Sequence, residues 1–291
     1  MKHNLPYLIN LPPFFIKDVD TSKLSGVKVF SLIIRGKILS FIVNKTDKKL
    51  FCFIINIFFK ADGKIRFRDS KYIKVTNSGD EFSYPNKRIL RVVKNIKSHL
   101  ERLYSSYCLD EVNFSNGDVV IDCGANVGEL NLAFKMKKID IEYYAFEPDK
   151  ETFECLTLNS SNKNIIYDKA LSDIDGETQF YIDNEGGNSS IVNFGSEESI
   201  NIATTRLDSV NLPADIKLLK LEAEGFEPEV LYGGLETLKK IQYISIDYGA
   251  ERGPSQEMTI VECNKILYEN NFKLVTFSEY RLIGLYLNSS L

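Results

Sequence analysis

Tryptophan is absent, and histidine occurs only twice in the 291 residues. That shortage removes most histidine-based chemistry. His3 stands near the start and His99 on the flank of a helical stretch, where a boundary or exposed position is expected. No Ser-His-Asp or Cys-His constellation can be assembled in the second half, so a proton acceptor there would be a carboxylate. Cys52, Cys108, Cys123, Cys155 and Cys263 form no C-x-x-C pair. They read as buried free thiols in a reducing compartment, and no zinc or other metal site is expected. The longest apolar run, Leu50 to Phe59, is broken by Asn56 and falls short of the roughly twenty residues of a membrane span. An export signal is missing too, so a cytoplasmic protein is expected, with peripheral contact to a membrane left open. A net charge of -4 gives no field to attract nucleic acid.

What is present is concentrated in one stretch. Val119-Val120-Ile121-Asp122-Cys123-Gly124-Ala125-Asn126-Val127-Gly128-Glu129 reads as an apolar strand running into a glycine turn and then a helix. Ala145-Phe146-Glu147-Pro148 follows as a second strand ending on an acid. This order builds a pocket for a ribose-bearing cofactor. Gly124 and Gly128 allow close backbone approach, and Glu147 can accept hydrogen bonds from ribose hydroxyls. A dinucleotide fingerprint would be G-x-G-x-x-G aimed at a pyrophosphate. Here the middle position is Asn126, and Asp122 precedes the first glycine. A carboxylate entering the loop repels a pyrophosphate and suits a cationic amine or sulfonium, as in S-adenosylmethionine. Alternatively, Asp122 ties the loop to its own backbone amides. The two roles are compatible.

Residues 27 to 75 are rich in β-branched and aromatic residues and read as antiparallel strands, Val27-Ile34, Ile38-Val43, Leu50-Phe59 and Ile65-Val75. Asp62-Gly63 reads as a hairpin turn between the last two. A helix over 86–107 follows, with Ile89, Val93, Ile96, Leu100, Leu103 and Tyr107 on one face. The expected division is therefore a β-rich N-terminal part with a linking helix, 1–110, and a cofactor-binding part, 111–291. In the latter, strands at 118–123, 141–147, 164–169, 216–222, 241–248, 272–277 and 282–288 alternate with helices at 128–138, 149–159, 228–240 and 257–270. Pro148 and Pro228 stand where helices begin. The fold class is α/β, a seven-stranded, mostly parallel Rossmann-like sheet with a terminal antiparallel hairpin.

Ligands of such sheets bind beyond the carboxyl ends of the strands. Asp168 to Asp173, including Ala170, would border the adenine, although Asp173 serves equally well to start a turn. A second cluster is Leu218-Leu219-Lys220-Leu221-Glu222-Ala223-Glu224-Gly225-Phe226-Glu227-Pro228. Burying three acids costs free energy unless they are paired. Glu222 or Glu224 would accept a proton from a substrate hydroxyl, or shape the field around the cofactor's sulfonium and amino group. Glu227 fits better as the start of the next helix, and Lys220 as an internal partner of an acid. Asp247 is a further candidate. Glu185-Gly186-Gly187-Asn188-Ser189-Ser190 is either a loop over the cofactor or an ordinary flexible connection.

Taken together, these segments resemble the FkbM-type family of S-adenosylmethionine-dependent methyltransferases. The resemblance rests on Asp122 to Gly128, Ala145 to Pro148, Ala170 to Asp173, Thr205 to Asp208 and Leu219 to Glu227, in that order, and covers roughly residues 110–250. It implies methyl transfer, most often to a hydroxyl oxygen of a sugar, glycan or polyketide. Glu222 departs from the family, which usually has aspartate there; the charge is kept and its reach is longer. Two other readings stay open: a nicotinamide-dependent oxidoreductase, and a non-catalytic module binding a partner such as a glycosyltransferase.

Overall fold

A computed structural model describes residues 25–58, 62–181, 191, 199–278 and 281–291. The chain divides into two compact units, residues 1–96 and 97–291.

In the first unit, the three segments read as strands before residue 60 are helices. Helix α1 spans Gly26–Lys45 and α2 spans Lys48–Phe58. The β-branched composition pointed the wrong way because the spacing of the buried positions decides. Phe51, Cys52 and Ile55 are buried at the three-four rhythm of a helix, as are Gly36 and Leu39. Gly36 is a buried position within α1. Three short antiparallel strands follow, β1 (Gly63–Arg68), β2 (Lys71–Thr76) and β3 (Glu81–Tyr84). The expected single strand Ile65-Val75 is therefore a hairpin, turning at Asp69 and Ser70, both at positive φ. Asp62 is a tether, not a hairpin turn. Its carboxylate accepts the Ile96 amide at 2.9 Å and pairs with Lys74, whose fully buried ammonium also donates to the Val93 carbonyl at 2.9 Å. The expected continuous helix over 86–107 is a 3-10 segment, Lys87–Val92, followed by α3, Ile96–Ser106.

The second unit contains the expected seven-stranded sheet. Its strands are β4 (Val119–Cys123), β5 (Glu142–Phe146), β6 (Ile165–Tyr167), β10 (Ile216–Leu221), β11 (Ile241–Asp247), β14 (Phe272–Phe277) and β15 (Ile283–Asn288), in the order β14-β15-β11-β10-β4-β5-β6. The five strands from β11 to β6 are parallel. The final hairpin is inserted with β15 antiparallel to β11 and β14 at the edge. A second sheet in the order β7-β9-β8 comprises β7 (Ala170–Ser172), β8 (Gly176–Tyr181) and β9 (Ser199–Arg206). Of these the sequence points only to β8, as a strand over Thr178-Ile182, whose last residue lies outside the described ones. A two-stranded ribbon pairs β12 (Ala250–Arg252) with β13 (Glu257–Met258). The Glu185–Ser190 loop lies outside the described residues.

Helices cover the sheet: α4 (Glu129–Met136), α5 (Lys150–Asn159), α6 (Glu227–Tyr232), α7 (Leu235–Leu238) and α8 (Ile260–Glu269). The helix expected over 228–240 breaks at Gly233-Gly234. Pro148 lies just before the N-cap of α5, where the Asp149 side chain accepts the Thr152 amide at 2.8 Å. All five residues of β4 are buried, as are Leu218, Leu219 and Leu221 of β10. Strands covered on both faces lose the polar alternation of half-exposed ones. Each such apolar side chain contributes roughly 1.5–3 kcal/mol on burial. The five cysteines are free and buried, as expected.

Candidate functional site

From β4 the sheet grows outward in two directions, to β5 on one side and β10 on the other. The carboxyl ends of β4 and β10 therefore flank a topological switch point, where a crevice opens. The turn after β4 enters this crevice. Gly124 is at φ +70°, and a Cβ there would lie 2.1 Å from the Glu222 carbonyl oxygen, so no other residue fits. Asn126 also takes positive φ, which asparagine tolerates better than most side chains.

Backbone hydrogen bonding in the turn discriminates between cofactors. The Gly124 and Ala125 amides both donate to the Phe146 carbonyl, at 3.1 and 3.0 Å. Asn126 donates to Glu147 Oε2 at 2.8 Å, and Val127 to the Asn126 side chain at 2.9 Å. The Gly128 amide donates to the Ala125 carbonyl at 2.9 Å. Every N–H from 124 to 128 is thus engaged, and none remains to cradle a pyrophosphate. That disfavours the nicotinamide dinucleotide reading on geometry. Glu147 also accepts the Asp149 amide at 3.0 Å, so backbone amides fix both of its oxygens. Burial pushes its carboxyl up to about 7 despite those amides.

Under the turn lies Lys220, whose strand register pairs it directly with Asp122. Its ammonium reaches Asp122 Oδ1 at 3.0 Å and Glu222 Oε2 at 3.3 Å, and donates to the carbonyls of Cys123 and Gly124 at 2.9 and 2.7 Å. Burial opposes that charge, but Asp122, Tyr107 and Glu222 outweigh it and hold Lys220 well above the ordinary lysine value. Asp122 is 1 % exposed, and its other oxygen accepts the Tyr143 hydroxyl at 2.5 Å. Lysine, rather than Asp122, ties the loop.

Glu222 accepts the Tyr107 hydroxyl on one oxygen and Arg281 Nη2, at 2.5 Å, on the other. Burial would raise its carboxyl, yet the Lys220 and Arg281 charges prevail and hold it far below the usual carboxylate range. Arg281 bridges onward to Asp247 and lies over the Tyr107 ring, 5.4 Å from its centroid. Lys220 pairs with neighbouring acids, as the sequence suggested, while Tyr107, Tyr143 and Arg281, which complete this network, carry no such signal in the sequence. In the sequence Tyr107 is one more apolar position on a helix face. Lysine within an apolar strand was the one visible signal.

Beyond Glu222 the chain turns through Glu224, at φ +50°, and Gly225. A glutamate in the left-handed region is uncommon, and such strain clusters at functional positions. Glu227 closes this turn: its Oε1 accepts the Ala223 and Gly225 amides at 2.9 and 3.1 Å, and its Oε2 the Thr259 hydroxyl at 3.0 Å. Burial pushes its carboxyl up to about 7. The Asp208 carboxylate accepts the Glu236 and Thr237 amides of α7, at 3.2 and 2.8 Å. His99 is not at an exposed boundary: it is 6 % exposed, and its Nε2 lies 3.2 Å from Glu129 Oε1.

Asp122, Gly124, Ala125, Asn126, Gly128, Glu147 and Glu222 are thereby joined around one turn. Pro148 continues from Glu147. The Glu147 amide donates to the Tyr167 carbonyl at 3.1 Å, which brings the end of β6 alongside. In the stretch expected to border the adenine, Asp168 is exposed beyond β6 and Ala170 is buried at the start of β7.

The sheet order and this crevice define a Rossmann-like methyltransferase. The family model for the Methyltransferase FkbM domain matches residues 122–281, more than half of the chain, and the chain belongs to that family. No curated protein matches it. Among solved structures it is similar to a SAM-dependent methyltransferase from Aquifex aeolicus, with 16% identity, a TM-score of 0.38, and 66% of this chain and 97% of that one covered. It is also similar to a protein of the NADB-Rossmann superfamily from Streptococcus agalactiae, with 13% identity, a TM-score of 0.40, and 65% and 68% covered. A third is a putative tRNA methyltransferase from Streptococcus pneumoniae in complex with S-adenosyl-L-methionine, with 12% identity, a TM-score of 0.38, and 65% and 70% covered. These likenesses concern the fold alone. The family's cofactor is S-adenosylmethionine. It has no phosphate, which fits a turn whose amides are spent internally, and its ribose fits a buried acid at Glu147.

Proposed function

We propose that the chain is an S-adenosylmethionine-dependent O-methyltransferase acting on a hydroxyl of a sugar or glycan. The observation that carries this reading is the charge at the carboxyl edge of the central strands. Asp122, Glu147, Glu222, Glu224 and Asp247 gather there against two cations, Lys220 and Arg281. Such an edge repels a polyphosphate backbone, and its half-buried carboxylates, Glu222 and Glu224, suit the hydroxyls of a neutral polyol.

The bound cofactor supplies an electrophilic methyl group on a positively charged sulfur. Glu147 would accept from its ribose hydroxyls, and the Gly124 to Gly128 backbone would line its approach. A base works best with a pKa near the working pH. Glu222, locked ionised by Lys220, Arg281 and Tyr107, is a weak base and serves as a fixed negative charge. Glu224, two residues beyond Glu222 on a turn at φ +50°, would take the proton from the acceptor hydroxyl as its oxygen attacks. Alignment in the crevice supplies much of the rate.

Glu224→Gln is expected to lower turnover on the responsive acceptor by about 100-fold or more while leaving cofactor affinity within about twofold. Glu222→Gln is expected to weaken cofactor affinity as well. Radiolabelled methyl transfer to a panel of glycan acceptors and calorimetry with S-adenosylmethionine would read the two effects. Wild-type turnover in both variants would end the carboxylate-base reading.

A further inference from the structure

Among the described residues, the first unit carries an exposed apolar stripe. On α1, Val27, Phe30, Ile34, Ile38 and Phe41 are 82, 65, 43, 45 and 65% exposed. At 3.6 residues per turn these five lie within about 80° of one another around the helix. The opposite side of the helix holds its two buried positions, Gly36 and Leu39. Helix α2 repeats the pattern with Leu50, Phe53 and Ile57, 56, 63 and 71% exposed at three-four spacing. Water-facing phenylalanine and isoleucine in such number mark a contact surface.

The charges around the stripe say what would cover it. Between residues 25 and 58 the cations are Lys28, Arg35, Lys37, Lys45, Lys48 and Lys49, and Asp47 is the one acid. The Asp47 carboxylate already accepts the Tyr72 hydroxyl and faces Lys87 at 3.8 Å. This local excess of positive charge occurs in a chain whose net charge is -4. On α1, Arg35 and Lys28 lie about 60° and 80° beyond one edge of the stripe, Lys37 about 20° beyond the other, and Lys45 falls within its arc near the C-terminal end. Two copies of so cationic a face would repel each other. An anionic lipid surface matches both features: apolar side chains enter the acyl boundary while lysine and arginine stems reach up to the headgroups. Helix α1 has 20 residues, nearly a membrane thickness, but its four cations exclude burial across the bilayer. Among the described residues no helix is long and apolar enough to cross a membrane.

We infer that α1 and α2 form an in-plane docking surface for anionic membranes. The full chain would be floated with phosphatidylcholine vesicles containing roughly a quarter phosphatidylglycerol, and with phosphatidylcholine alone. Expected is association with the anionic vesicles only, weakened by salt. Phe30→Ser with Phe41→Ser should reduce it about tenfold or more. Both side chains are exposed, so the thermal melt and the affinity for S-adenosylmethionine should not change. Lys28→Gln with Lys37→Gln should also weaken binding. Absence of anionic-vesicle binding by wild type would overturn the inference, as would equal binding by the phenylalanine variant. A lipid-free dimer in sedimentation velocity that the phenylalanine substitutions dissolve, without vesicle binding, would assign the stripe to a second copy instead.

Discussion

Lys220 and Asp122 face each other across the central strand pair, in direct register, with 3.0 Å between Nζ and Oδ1. The pair is sealed from water: Lys220 is 3% and Asp122 1% exposed. Two ions brought out of water stabilise a fold only when each satisfies the other, and removing one leaves the survivor uncompensated. Lys220→Met should therefore cost about 3–5 kcal/mol in urea unfolding at neutral pH. Lys220→Met with Asp122→Asn should recover part of that loss, because no lone buried charge remains. Equal unfolding midpoints for the wild type and Lys220→Met would show that the pair contributes nothing.

With Glu147 as the proposed ribose acceptor, cofactor affinity would depend on pH. Burial has lifted its carboxyl to about 7, so a fraction is protonated near neutrality. Ribose hydroxyls donate best to the ionised form, and binding would favour that form. Affinity for S-adenosylmethionine should then fall as pH drops below about 7, by at most about tenfold per pH unit. Calorimetric titrations across this range would check the slope. Glu147→Gln should bind about tenfold more weakly and flatten the dependence. A wild-type affinity constant across the range would remove Glu147 from the ribose.

The second half of the chain was legible because its elements announce themselves locally. Val119–Cys123 is a continuous apolar strand, Gly124 and Gly128 punctuate the turn, and Glu147 closes the next strand. The first half misled because Val, Ile and Phe favour strands by composition, while the three-four spacing of Phe51, Cys52 and Ile55 makes a helix. Period outranks composition when the two disagree. The lock on Glu222 was illegible for another reason. Tyr107 and Arg281 lie 115 and 59 residues from it along the chain, and only the sheet order brings them together. The short strand Ala170–Ser172 and its partner Ser199–Arg206 escaped notice because pairing within the second sheet, not a long apolar run, defines them.

Glu227 offers a stability test with a definite sign. Its folded value of about 7 lies above the ordinary 4.5, because burial penalises the charge. The fold therefore holds the proton more tightly than the unfolded chain does. The stability this proton supplies is fully present below about pH 4.5 and is lost as pH rises through about 7. Glutamine can present its oxygen to the Ala223 and Gly225 amides and its NH2 to the Thr259 hydroxyl. Glu227→Gln should therefore raise the melting temperature at about pH 8 and leave it nearly unchanged at about pH 4.5. An equal shift at both pH values would mean that the gain, if any, is not electrostatic.

Gly124 separates backbone strain from steric exclusion. It sits at φ +70°, and Gly117 at φ +88° shares the left-handed conformation. A Cβ on Gly117 meets nothing within 4 Å, whereas one on Gly124 lies 2.1 Å from the Glu222 carbonyl oxygen. Gly117→Ala therefore costs the conformation alone, about 1 kcal/mol. In Gly124→Ala the carbonyl must move as well. It belongs to the residue whose amide donates to the Cys123 carbonyl at 3.3 Å and whose carboxylate Lys220, Tyr107 and Arg281 hold, so it has little freedom. The turn must give way instead, taking with it the Gly124 and Ala125 amides that anchor it to Phe146. Gly124→Ala should thus exceed Gly117→Ala in destabilisation by about 2 kcal/mol or more and lose detectable cofactor binding, while Gly117→Ala binds normally. Paired melts and calorimetry on the two variants would show this, and equal behaviour would mean that the crevice tolerates a side chain where the backbone geometry leaves none.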